Sequence, residues 1–450
     1  MNILLISPNT LTTPYPVYPI GLDYVAGSIG TKHDVQIVDL QIVGRDDLAT
    51  LLMTFTPDII GIACRNIDTT DAGDRLFFLT SYAELVGWLR HRTKAVLVAG
   101  GSGFTIMPQQ VFVKLGTDYG IIGEGERFGL LVDALAENKD PLAIPGVFRT
   151  GKPAALPPPW QGPLLRRFQP DTSQTDFYLK NGGMLNLQSK RGCTFRCIYC
   201  PYPRIEGGVH RLVEPETVAR TALHLQEAGA KYLFFTDSAF NSDIPHSLAV
   251  ARALKTAGLT IPWGAFFAPL RLPPDYFKVM ADAGCRHVEF GTESMSAAML
   301  RTYRKPFRPE DVAAAHQQAQ AAGLHVAHYL LLGGPGETAA TVTETMDNLE
   351  QLDRAVFFFF IGIRIYPGTA LYDIALSEGK INRRDDLLLP VFYESDAITL
   401  DAITSLVTQR AARRVNWLIG SGGASITALT RIMHRQGYIG PLWEHLIRSP

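Results

Sequence analysis

Two rhythms of apolar and polar residues run along this chain. Up to residue 150, short and almost wholly apolar runs alternate with stretches of helical period. The runs are NILLIS (2–7), VQIVDL (35–40), IIGIAC (59–64) and AVLVAGG (95–101), and helical period shows at 46–54 and 81–92. Strands without a polar face are covered on both sides, which is the habit of parallel sheets flanked by helices. The pattern predicts a doubly wound, Rossmann-like α/β domain over 1–150. GKPAALPPPWQGP (151–163) has no period at all. Its prolines favour extended backbone and mark a linker, taken as 151–180.

A second rhythm begins near 180. Strand candidates are MLNLQS (184–189), YLFFTD (232–237), IPWGAFF (261–267), RHVEFGT (286–292), HVAHYLLLG (325–333) and VFFFFIGIRIY (356–366). Amphipathic segments such as PETVARTALHLQEAG (215–229) and TAATVTETMDNLEQL (338–352) separate them. Six β/α units predict a partial barrel over 181–380, with its chemistry on the loops that follow the strands. TSLVTQRAARRVNWLIG (404–420) and ITALTRIMHRQG (426–437) read as helices, which makes 381–450 a helical C-terminal region that caps the barrel.

Composition narrows the options. The 450 residues carry 42 basic and 43 acidic side chains, a formal net charge of -1. That balance gives no reason to invoke nucleic acid or an anionic membrane. The longest apolar run, AVFFFFIGIRIY (355–366), is too short to span a bilayer and contains Arg364. MNILLISPN lacks the basic start of a signal peptide, so a reducing cytoplasm is expected. Only five cysteines occur, yet Cys193, Cys197 and Cys200 crowd into RGCTFRCIYC (191–200), directly after the first barrel strand. An odd number in a large chain argues against disulfides. A zinc site would recruit a fourth ligand at close spacing, and the next histidine is His210. Three thiolates suit an iron–sulfur cluster with one iron left open.

A three-cysteine loop of this spacing, with Tyr199 before its last cysteine and a six-unit barrel behind it, resembles the radical SAM superfamily. The resemblance implies that Cys193, Cys197 and Cys200 hold a [4Fe–4S] cluster, and that S-adenosylmethionine (SAM) meets the open iron. It places Tyr199 at the adenine and Ser238 and Asn241 of TDSAFN at the methionyl end. Glu293 would hold the ribose, with Gly333, Gly334 and Gly336 of GGPGET on the adenine side. Arg364, Tyr366 and Pro367 of IRIYPGT would lie beside them. It also implies a flavodoxin- or ferredoxin-type electron donor.

The N-terminal domain, with NIDTTDAG (66–73), AGGSGFTIMP (99–108) and GIIGEGE (120–126), resembles the cobalamin-binding subgroup of that superfamily. Arg65, bulky and charged after the third strand, is expected to fill the crevice or pair with Asp68 or Glu124, which argues against retained cobalamin. The compact arrangement resembles the radical SAM diol-dehydratases of aminoglycoside antibiotic biosynthesis. The expected reaction is therefore hydrogen abstraction from a carbinol carbon of an aminosugar, followed by loss of water to a deoxy-ketone. A nicotinamide-dependent partner would then reduce that ketone. Asp237, Glu289 and whichever of His328 and Tyr329 faces the lumen are the candidate acids and bases. Asp68, Asp71 and Glu394 are candidates to pair with ammonium groups, and Trp263 and Phe266 to wall the substrate. The alternative is a cobalamin-dependent methyltransferase acting on an unactivated carbon.

Overall fold

The computed structural model describes residues 1–12, 15–152, 155–170 and 172–447. Of the predicted linker, residues 153, 154 and 171 lie outside the described residues. The first sheet contains β1 (Asn2–Ser7), β2 (Asp34–Asp39), β3 (Ile59–Ala63), β4 (Val96–Gly100), β5 (Tyr119–Ile121) and β6 (Val147–Phe148). Their order is β2-β1-β3-β4-β5-β6, all parallel except β6. The chain reverses direction across the sheet between β1 and β3, the crevice where such sheets bind ligands. β5 and β6 are too short to stand out in the sequence pattern.

Helices Ile20–Ser28 and Arg127–Ala136 cover one face, burying Leu5, Leu22, Val98 and Phe128. Helices Leu79–Arg90 and Pro108–Leu115 cover the other. This second core does not stop at the domain edge. It continues into Ile198, Tyr303, Ile363 and Tyr366, so both domains share one apolar interior.

After β7 (Met184–Leu187), the cysteine loop is carried by a two-stranded stem, β8 (Lys190–Arg191) against β9 (Arg211–Leu212). Then come β10 (Tyr232–Phe235), β11 (Trp263–Phe267), β12 (Cys285–Glu293), β13 (His325–Leu332) and β14 (Ala355–Ile361). Gly362 ends β14, and β15 (Ile363–Arg364) pairs antiparallel with β16 (Phe392–Tyr393). The α/β architecture is as expected, with one correction. The barrel sheet has seven parallel strands, because β17 (Trp417–Ile419) adds to the free edge of β14. The helix expected over 404–420 stops at Ala411. Beyond it, the Asn416 carbonyl accepts from the Phe357 amide (2.8 Å) and Trp417 packs on Phe357 and Phe359. Pairing with an open strand edge outweighs the local helical pattern.

Alternation sorts the barrel side chains. Phe235, Trp263, Phe267, Phe290 and Phe357 point out into the strand–helix core. On the inner face, a turn at Trp443–Leu446 enters from below, and Trp443 packs against Ala327, Val356 and Phe358.

Candidate functional site

The cysteine loop is fastened at several backbone points. The Cys193 amide donates to the Gly207 carbonyl (3.1 Å), Ile198 donates to Tyr303 (3.2 Å), and Leu371 donates to Ile198 (2.8 Å). Burial raises the Cys197 thiol and pushes Cys200 up to about 12, with the Lys305 ammonium pulling both the other way. Both thiols are half-buried, and thiols raised in this way give up their protons most readily to a metal. Among the described residues no three His, Cys, Asp or Glu side chains converge on one ion.

Beside the loop, Glu293, Lys305 and Tyr199 come together. Lys305 Nζ is 3.1 Å from Glu293 Oε1 and 3.4 Å from the Tyr199 hydroxyl. Glu293 sits at a register shift between β12 and β13 with φ 64°, a left-handed conformation that a non-glycine residue adopts at a cost. The shift interrupts the strand's alternation and turns the carboxylate toward the cysteines. Lys305 has no signal in the sequence, since one lysine in a turn looks like surface. Tyr303 is equally unannounced. Its hydroxyl donates to Leu331 O and accepts from the Gly334 amide (3.2 Å), while its ring edges Tyr199.

Several expected ligands are already committed. Asp237 is buried and accepts from the Ser189 amide (2.9 Å) and from Lys190 Nζ (3.2 Å), so it anchors the stem of the loop and is not a free acid or base. Asn241 spends its amide on both backbone groups of Ala268 (2.7 and 2.8 Å), which commits it to the fold. Ser238 Oγ, by contrast, is buried without a partner. Gly333 and Gly334 face Glu337 and Tyr303 within the fold, and Gly336 is exposed. Arg364 and Tyr366 both bind Asp68 (3.0 and 3.3 Å) and pin the domains together, which removes all three from cofactor or substrate. Pro367 is half-buried in the neighbouring turn.

Asp71 caps its own turn through the Gly73 amide (2.9 Å), and exposed Glu394 accepts from Leu400 N (3.0 Å). Trp263 faces outward and donates to Ala283 O (2.8 Å), so it walls no lumen. His328 also faces outward. His316 Nε2 meets Asp353 O, which leaves His316 Nδ1 to accept from His328 Nε2 (3.0 Å), and His328 Nδ1 accepts from Thr292 (2.8 Å). Burial holds both rings neutral. Tyr329, Phe266 and Glu289 are the inward-facing members of the expected set.

The second half of the site is a cavity of about 430 Å³ at the β1/β3 crevice. Its apolar wall includes Leu5, Leu22, Val98 and Phe128, and its far side is made by Asn186, Tyr202 and Ile205. One space therefore joins the crevice to the barrel mouth and the chain just after Cys200. Asn9 Nδ2 and Gln41 Oε1 border it, buried and without partners. Arg65 does not fill the space as expected. It lies along the wall with Nη1 on Val17 O (3.2 Å) and is paired with neither Asp68 nor Glu124. Its backbone is held by the GGSG turn. Gly101 has φ 107°, and a Cβ there would stand 2.8 Å from Cys64 O, so only glycine lets the turn close. Glu124 and Glu126 of GEGE bind Arg191 (3.2 and 2.7 Å), two residues before Cys193, and Arg211 is bidentate on Glu124.

Residues 6–130 match the B12 binding domain family, and residues 187–349 match the radical SAM superfamily. Along the chain, a region that matches a B12-binding domain is thus followed by one that matches a radical SAM domain. It is 29% identical over 405 residues to the uncharacterized methyltransferase PH0819 of Pyrococcus horikoshii, covering 85% of this chain and 84% of that protein. It is 28% identical over 445 residues to the tryptophan 2-C-methyltransferase of Streptomyces laurentii, covering 81% and 73%. The fold matches that of the radical SAM methyltransferase TsrM from Kitasatospora setae with cobalamin and a [4Fe-4S] cluster bound. The TM-score is 0.86 at 21% identity, over 99% and 97% of the two chains. These relatives overturn the expected aminosugar dehydration, since they are methyltransferases along most of their length. Among the described residues no helix is long and apolar enough to cross a membrane.

Proposed function

We propose that this radical SAM, B12-domain chain is a cobalamin-dependent methyltransferase that moves a methyl group from SAM to a carbon of a small molecule. The single observation that carries this is the cavity described above, continuous from the B12-domain crevice to the cysteine loop and the barrel mouth. The cavity suits a corrin: it has an apolar wall for a flat ring, and an unpartnered donor on Asn9 Nδ2 and acceptor on Gln41 Oε1 for the ring's amide fringe. Arg65 leaves room for it, which reverses the expectation against cobalamin.

When bound, cobalamin supplies a methyl carrier, and the cluster supplies single electrons to SAM. Cys193, Cys197 and Cys200 would hold the cluster. The Glu293–Lys305 pair and Ser238 Oγ would orient the polar ends of SAM. A flavodoxin or ferredoxin would deliver electrons. The shared apolar core and the Arg364–Asp68 pair hold the two domains at fixed separation, so carrier and substrate chamber keep one distance.

The test is anaerobic reconstitution with iron, sulfide and hydroxocobalamin, reduction with titanium(III) citrate so that the cobalt can accept a methyl group, and then addition of SAM bearing a trideuterated methyl group. The expected result is one corrin retained per chain and a deuterated methyl group on the corrin by mass spectrometry. A chain that cleaves SAM to 5′-deoxyadenosine yet retains no corrin overturns the proposal.

A further inference from the structure

The barrel lumen beneath the cysteine loop takes no part in the contacts assigned so far. Its wall is aromatic. Tyr329 stacks on Phe358 (centroids 4.9 Å, 15°) and lies parallel to Phe360 (6.2 Å, 15°). Phe266 meets Tyr329 edge-on at 5.9 Å, and Phe234 meets Phe266 edge-on at 5.2 Å. Phe266 is 39% exposed although it projects from a central strand of the barrel. Tyr15 packs on the Met184–Tyr232–Phe234 cluster at one side, and the space beside the Phe266 ring is open. Gly291 pairs with Tyr329 in the ladder and projects no side chain into that space.

The floor is closed by the C-terminal turn. Trp443 fills the width left by Ala327 and Val356, and Glu444 holds His287 Nε2 (3.1 Å). His287 Nδ1 in turn faces the Tyr232 hydroxyl (2.7 Å), which reaches it only because Gly264 has no Cβ to stand in its way. Above this floor lies Glu289. Its Oε1 accepts from Trp443 Nε1 (3.0 Å) and its Oε2 from the Tyr329 hydroxyl (2.8 Å). No cation lies within ion-pair distance of it among the described residues. Each oxygen keeps a free lone pair, and the Tyr329 oxygen can accept while it donates. A buried carboxylate held only by neutral donors favours one more donor.

We infer that this lumen binds a small, flat, uncharged aromatic or heteroaromatic molecule that presents a single N–H or O–H to the Glu289–Tyr329 pair. This rests on the methyltransferase proposal only in making that molecule the methyl acceptor. A polycation would find one carboxylate where it needs several. An anion would face Glu289 without compensation. A long hydrocarbon would be stopped by Trp443.

The probes are 2-naphthol and 2-methoxynaphthalene, flat rings that differ in the donor, with neamine, which carries four amino groups, as the polycationic comparison. Binding is read by equilibrium dialysis on the full chain, anaerobically reconstituted with its cluster and free of SAM. 2-Naphthol is expected to bind at least about tenfold more tightly than its methyl ether, and neamine not to bind. Glu289→Gln should cut that ratio below about threefold while methoxynaphthalene is still retained, which shows that the variant is folded. Trp443→Ala should admit 9-phenanthrol, which the parent excludes. Equal binding of the two naphthalenes, retention of neamine alone, or an unchanged ratio in Glu289→Gln overturns the inference. Because no turnover is involved, the chamber can fail while methyl transfer to the corrin succeeds, and the reverse.

Discussion

Arg191 joins three things: the GEGE loop of the B12 domain, the wall of the cavity and the stem of the cysteine loop. Its replacement by methionine removes the bonds to Glu126 (2.7 Å) and Glu124 (3.2 Å). The two carboxylates then differ in what remains to them. Glu124 keeps Arg211 and the Trp160 amide (2.5 Å). Glu126 is buried and its oxygens have no other partner among the described residues. An orphaned buried charge costs about 3–5 kcal/mol, far more than a lost surface pair. For a domain of this size each kcal/mol lowers Tm by about 2–4 °C, so Arg191→Met should lose at least ~6 °C by differential scanning calorimetry. Adding Glu126→Gln removes the orphan and should restore part of the loss, with a coupling above about 1 kcal/mol. The stem would also loosen around Cys193, broadening the electron paramagnetic resonance signal of the reduced cluster. A shift under 2 °C, or strictly additive single and double variants, refutes the reasoning.

Other outcomes follow from the same geometry. Cys197→Ala should lose the cluster absorbance and all SAM cleavage yet retain hydroxocobalamin, as judged by the visible spectrum. Burial raises the Glu289 carboxyl to about 7 from an ordinary value near 4.5. Burial disfavours only the ionised form, so the destabilisation is absent below about pH 4.5 and complete once pH passes 7. It amounts to about 3 kcal/mol, and urea titrations across that window should be flatter for Glu289→Gln than for the parent. Trp263→Ala should cost about 3–5 kcal/mol in urea unfolding without altering naphthol binding, because the indole lies outside the lumen. Asp68→Ala, which strands buried Arg364, should destabilise by about 3–5 kcal/mol and lower hydroxocobalamin retention.

Much of this architecture was legible along the chain because its strands are apolar on both faces. The cysteine loop was legible because three thiols at that spacing have few other uses. The individual site residues were harder, for physical reasons. Asp237, Asn241 and Arg364 follow barrel strands, as catalytic groups do, but so do residues that tie loops to the body, and only their hydrogen bonds tell the two apart. His328 and Tyr329 are neighbours, so alternation had to send one away, and the pattern contains nothing to say which. Lys305 and Tyr303 lie in a turn of ordinary composition and acquire meaning only through Glu293 and Gly334. β17 was hidden because a strand of three residues owes its conformation to the edge it joins.

The floor of the lumen is the last part to be laid. β17 and the Trp443 turn come from beyond residue 416, whereas the cysteine loop is made before the barrel is half synthesised. During biogenesis the shaft therefore stands open at its base, with its aromatic lining and Glu289 wetted, until the stopper arrives. A ribosome stalled shortly before residue 417 would hold a barrel with a leaking bottom, a target for chaperones and proteases.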